Sequence, residues 1–150
     1  MNTLCIIPCG KRKIWDKNPE AGPTEAKNVY IGPFAVSCRR YAERFYPSAW
    51  CIISAKHGFL FPDDIVPGPY EVTFSEPKTN PITVEELKVQ VTNKGLGKCQ
   101  NIIVITGKEY ISRVQRVFPG KEISTPLVNS SSQGNMMRKL RNARERAEPL

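Results

Sequence analysis

The sequence predicts an α/β domain, a three-layer sandwich whose central sheet has four mainly parallel strands. Two observations carry that prediction. Short runs at residues 4–7, 50–53, 101–105 and 121–124 alternate with segments of helical period, giving strand–helix order four times over. The first two runs and residues 102–105 of the third are continuously apolar, as expected for strands buried on both faces by crossover helices. No internal repeat is visible, and the 150 residues read as one domain, 1–150.

Each element has a local reason. The first strand, 4–7, stops at the breaker Pro8-Cys9-Gly10, after which Lys11, Arg12, Lys13 and Lys17 surround Trp15-Asp16. Residues 18–32 contain Pro19, Gly22, Pro23 and Gly32 and show no period. Aperiodic stretches of that length in a domain are often functional. Gly32-Pro33 opens a helix, with Phe34, Cys38, Tyr41 and Phe45 on one face. The second strand, 50–53, runs into Ser54-Ala55-Lys56-His57-Gly58-Phe59-Leu60. Residues 61–81 are again irregular, with prolines at 62, 67, 69, 77 and 81, and 70–74 is expected to be a short extended piece.

Thr83 and Glu86 have the spacing of a capping box, flanked by Ile82 and Leu87 at the hydrophobic-staple positions. That helix is expected to bury Leu87 and Val91 and to stop near Gly95. The third strand, 101–105, leads through Thr106-Gly107-Lys108 into a helix expected to bury Tyr110, Val114 and Val117. The fourth strand, 121–124, is followed by a Ser-rich loop and a last helix. Its inner stripe is Met136, Met137, Leu140 and Ala143, and its outer face carries Arg138, Lys139, Arg141, Arg144 and Arg146.

The net charge of +8 favours a polyanionic partner, with nucleic acid first and an anionic nucleotide or membrane surface behind it. Plain solubility would produce the same excess. The five cysteines are odd in number, lack a Cys-x-x-Cys pair and are joined by a single His. They read as reduced, buried residues, with no metal or other cofactor expected. The first apolar run is too short for a signal peptide or a membrane span, so a soluble cytoplasmic protein without a membrane partner is expected.

In such a sheet the strand exits share one edge, and ligands bind there. The polar groups at the exits are therefore the candidates: Cys9, Gly10, Lys11 and Lys13; Ser54, Lys56 and His57; Gly107 and Lys108; Ser130 and Ser131. Neither a G-x-G-x-x-G nor a P-loop sequence is present. Gly107-Lys108 can still bind a phosphate at a helix start, or be an ordinary turn. Lys56 and His57 can orient a phosphate, polarise a leaving group or shuttle a proton, and a Lys lowered in pKa by burial can act as a nucleophile. Asp16 can position water while Trp15 stacks on a base, or the two can pack and cap a turn. Glu25 and Glu71 are further carboxylates, and Tyr30 and Tyr70 further rings, in the long irregular stretches.

Five segments together resemble a known pattern: 9–13, 22–27 (Gly-Pro-Thr-Glu-Ala-Lys), 39–43 (Arg-Arg-Tyr-Ala-Glu), 54–60 and 69–74. The chain resembles an uncharacterised prokaryotic and phage family carrying these motifs, which is distantly similar to the uracil-DNA-glycosylase-like fold. That resemblance implies a first-strand loop bearing a catalytic Asp and a base-stacking aromatic, the place held here by Trp15-Asp16. The chain departs from the glycosylase pattern in lacking a Gly-Gln-Asp-Pro-Tyr-type sequence and a His after the last strand. Its only His, His57, follows the second strand instead.

The expected function is a DNA glycosylase that excises a modified nucleobase to leave an abasic site, in defence against phage with modified DNA. Asp16 would orient water or stabilise the sugar cation, and His57 with Lys56 would stabilise the leaving base or phosphates. Trp15 and either Tyr30 or Tyr70 would stack on the base, while Lys11, Lys13, Lys108 and the last helix hold the DNA backbone. The alternatives are a non-enzymatic nucleic-acid-binding module and a nucleotide hydrolase or nucleoside transferase acting on free nucleotides.

Overall fold

The four expected strands form and lie parallel, and a fifth joins them. In the computed structural model, which describes residues 2–150, the strands are β1 (Thr3–Pro8), β2 (Thr24–Glu25), β3 (Trp50–Ser54), β4 (Gly58–Leu60), β5 (Ile65–Val66), β6 (Asn101–Val104) and β7 (Glu122–Ser124). The helices are α1 (Ile14–Lys17), α2 (Pro33–Phe45), α3 (Val84–Asn93), α4 (Lys108–Val117) and α5 (Gln133–Arg146). The main sheet runs β4-β3-β1-β6-β7, with only β4 antiparallel to its neighbour.

Central β1 pairs Ile6 with Cys51 on one side and Leu4 with Ile102 on the other. Successive side chains of a strand point to opposite faces. Cys5, Ile7, Trp50 and Ile52 therefore enter one core with Tyr41 and Ala42 of α2 and Leu140 and Ala143 of α5. Leu4, Ile6, Cys51 and Ile53 enter the other, with Leu87 of α3 and Val114 of α4. Burying each such aliphatic chain contributes about 1.5–3 kcal/mol.

The caps follow the local sequence. Pro33 stands at the start of α2, and the Thr83 hydroxyl accepts from Glu86 N while Glu86 Oε1 accepts from Thr83 N. The charge is unevenly laid out. Two net positive charges on α2 (Arg39, Arg40 and Arg44 against Glu43) and four on α5 make up six of the chain's eight.

Two expectations are corrected. Residues 70–74 join no strand. Tyr110 is only half-buried, because it stands in the first turn of α4 at the sheet edge. The structure also joins the two long irregular stretches: β2 and β5 pair antiparallel, and Ala26 N and Lys27 N donate to Asp64 O and Pro62 O. Among the described residues, no helix is long and apolar enough to cross a membrane.

Candidate functional site

Two clefts open at the carboxyl ends of the parallel strands, with Cys9, Gly10, Lys11 and Arg12 lining both. The smaller, about 480 Å³, includes Phe34, Gly107, Lys108, Gln133 and Met136. It lies where β1 meets β6, with the next parallel strand, β3, on the other side of β1. Such a switch in strand order is where open α/β sheets place ligands. The larger cleft, about 920 Å³, is lined by Lys13, Asp16, Ala55, Tyr70, Glu71 and Tyr110 among others.

The loop after β1 is held rigidly. Ile14 N donates to Val29 O at 2.7 Å and Ile31 N to Arg12 O at 3.1 Å, so residues 12–14 are stapled to 29–31. Asp16 Oδ2 accepts from Lys13 N at 2.8 Å, which closes the single turn of α1. Lys13, with 7 % of its surface exposed, is the one buried charged side chain among the described residues. Its Nζ donates to Lys11 O at 3.1 Å and lies 4.4 Å from the centre of the Tyr70 ring. Burial lowers its pKa, opposed by the nearby Cys9, Asp16 and Glu71.

Behind this wall runs a buried line of hydroxyls. Tyr30 and Tyr70, forty residues apart, share a hydrogen bond, and Tyr70 also meets Ser54 Oγ at 2.8 Å. Ser54 Oγ then accepts from Lys56 N and His57 N at 3.3 and 3.1 Å. Burial pushes Tyr70 up to about 12 and Tyr30 higher still, so both stay neutral and serve as hydrogen-bonding groups. The turn beyond Ser54 is clamped from α3: Gln90 Nε2 donates to His57 O, and Gln90 Oε1 accepts from Phe59 N. Burial first, then Lys56, lowers the His57 pKa.

Cys9 and Tyr110 meet between the clefts, with Sγ and the phenol oxygen 3.5 Å apart. Burial raises the Cys9 thiol pKa. Tyr110 lines both clefts, although its helical spacing predicts a core position. Its distance of three residues from Gly107, in the first turn after a strand exit, is the signal that could have found it.

The other sequence candidates divide cleanly. Cys9, Gly10, Lys11, Lys13, Asp16, Tyr70 and Glu71 share the larger cleft, and Gly107 and Lys108 line the smaller one. Trp15 is corrected from a stacking ring to a core anchor: it is buried, and its Nε1 donates to Gly22 O at 2.8 Å. Lys56 and His57 line neither cleft, because the chain turns straight back at Gly58 into β4; they approach Tyr70 instead, Lys56 Nζ at 5.8 Å and the His57 ring edge-on at 5.2 Å. Tyr30 and Ser54 are buried behind Tyr70. Ser130 accepts from Lys139 Nζ at 3.0 Å and Ser131 pairs with Asn135, so both are engaged with α5 and line neither cleft.

No solved structure matches the chain significantly. Over 151 residues and the full length of both chains it is 43% identical to a Bacillus subtilis (strain 168) protein described as "Uncharacterized protein YfjM". The family model described as "Family of unknown function (DUF6884)" matches residues 4–142, from β1 into the last turns of α5. The chain belongs to the DUF6884 family.

Proposed function

We propose that this chain is a DNA glycosylase of uracil-DNA-glycosylase-like architecture, excising a modified nucleobase to leave an abasic site, with a role in defence against phage whose DNA is modified. The observation that carries the reading is the composition of the larger cleft. Asp16 and Glu71 line it together with the rings of Tyr70 and Tyr110 and the cations Lys11, Arg12 and Lys13. Base excision needs a flipped nucleotide held by ring contacts and edge hydrogen bonds. Breaking a glycosidic bond through an oxocarbenium-like transition state is helped by a carboxylate that stabilises the sugar cation or orients water. A volume of about 920 Å³ leaves room for a substituted base and its sugar. Lys11 and Arg12, exposed on the rim, suit phosphate contacts.

In this reading Asp16 uses one oxygen to cap α1 and the other toward water or the sugar. Lys56 and His57 steady Tyr70 rather than touch the base. The basic layer of α2 and α5 favours a second reading, a nucleic-acid-binding module without chemistry.

Incubation with unmodified, uracil-containing and hypermodified phage DNA, scoring abasic sites and released bases, separates the two. Excision from one modified DNA is expected, with Asp16→Asn reducing it by about 10²-fold or more. The Asn side-chain oxygen still accepts from Lys13 N, so the fold should persist. Salt-sensitive DNA binding with no abasic product from any substrate would leave only the binding module.

A further inference from the structure

The Lys13 side chain is buried in the wall of the larger cleft. Charged groups are rarely buried unless paired. Yet among the described residues no carboxylate oxygen comes within ion-pair distance of Lys13 Nζ. Its contacts are one carbonyl, Lys11 O, and the face of Tyr70. The backbone beneath it is pinned from two directions, by the 29–31 segment and by Asp16. The amine is thus held in place on the wall of the 920 Å³ cleft, whereas Lys11 and Lys56 are exposed. Groups fixed in this way by their supporting shell are the ones suited to chemistry.

What that chemistry would be follows from the excision reading, on which this inference rests. Loss of the base leaves a sugar whose open-chain form carries an aldehyde at C1′, and it is generated in the cleft that Lys13 lines. We infer that Lys13 is an amine nucleophile toward this aldehyde, so that the protein is an abasic-site lyase as well as a glycosylase.

Neutral Nζ attacks C1′ and forms a C–N bond as the C1′=O π bond opens, and the resulting carbinolamine takes up a proton from solvent and loses water to give an iminium. A carboxylate of the cleft takes a C2′ proton. The electron pair left behind forms the C2′–C3′ double bond as the C3′–O bond breaks, expelling the 3′ phosphate. Water then hydrolyses the imine and frees the amine. No oxidant, reductant or co-reactant other than water enters. Burial disfavours the charged form and so enlarges the share of neutral amine, while Cys9, Asp16 and Glu71 act against it.

The test uses the full chain and an oligonucleotide carrying a preformed abasic site, so that it does not depend on base excision. Sodium borohydride reduces the imine to a stable protein–DNA adduct, resolved on a denaturing gel and mapped by peptide sequencing. The adduct is expected on Lys13 and should fall at least tenfold in Lys13→Arg, which keeps the charge but not the nucleophile. Lys88→Arg, on the exposed face of α3, should leave it unchanged. Melting curves show whether Lys13→Arg is folded, and mapping on the wild-type protein decides the matter even if it is not. No adduct, or an adduct spread over surface lysines, overturns the inference. Base release from modified DNA without an adduct on the abasic oligonucleotide overturns this step alone and leaves the glycosylase standing.

Discussion

β1 and β3 end side by side on the same sheet edge, and both are followed by polar, lysine-bearing segments. After β1 the chain leaves the sheet for a long excursion, and Cys9 to Lys13 and Asp16 remain on the walls of the clefts. After β3 the chain turns at Gly58 and re-enters the sheet as β4. There Ser54 is fully buried, and its oxygen serves two backbone N–H groups and the Tyr70 hydroxyl. The two exits have similar composition but different bonding. Polar atoms saturated by their neighbours support a site, and polar atoms facing a cleft make one.

The comparison is broken most forcefully at Gly58. Its φ is +74°, and an added Cβ would stand 2.1 Å from Gln90 Oε1. Gln90 can swing away only by releasing His57 O and Phe59 N. Gly58→Ala should therefore lose about 3–4 kcal/mol in urea unfolding, from about 1–2 for the left-handed backbone and about 1 for each of the two hydrogen bonds. Excision per folded molecule should hold. A fall in excision at unchanged stability would place the β3 turn in the chemistry.

Ser54→Ala comes next. Removing an oxygen that three buried or half-buried groups share is expected to cost about 1–3 kcal/mol by thermal or denaturant unfolding. Tyr70→Phe sharpens the same point, since it keeps the ring against Lys13 while removing the hydroxyl, and should cost about 1 kcal/mol with borohydride trapping intact.

The smallest effect is in pH. The folded His57 pKa is depressed below 6.5, so as pH falls the unfolded chain takes up the proton first. This contribution to stability is complete above pH 6.5 and is lost as pH falls toward the folded value. Melting temperatures between pH 7.5 and 5.5 should fall more for the wild type than for His57→Asn. Equal slopes would mean that His57 is as free in the folded chain as in the unfolded one.

Much of the architecture was legible in the residues themselves. Continuous apolar runs marked β1, β3 and β6, and Thr83 with Glu86 marked the start of α3, because strand burial and helix capping are written in neighbouring positions. The candidates after β1 were legible too, since a breaker after a buried strand exposes whatever polar groups follow. β4 was missed because three residues after a turn carry no period of their own; only pairing with β3 makes them a strand.

The roles within the site were decided by contacts across the chain. Trp15 and Asp16 are adjacent, yet one faces the core and the other the cleft, because a single helical turn points them apart. Tyr30 reaches Tyr70 only because β2 and β5 join the two long irregular stretches. Lys13 resembles its exposed neighbours Lys11 and Arg12 in sequence. What separates it is burial against Tyr70 and the 29–31 segment, and burial is a property of the folded chain that no run of three cations contains.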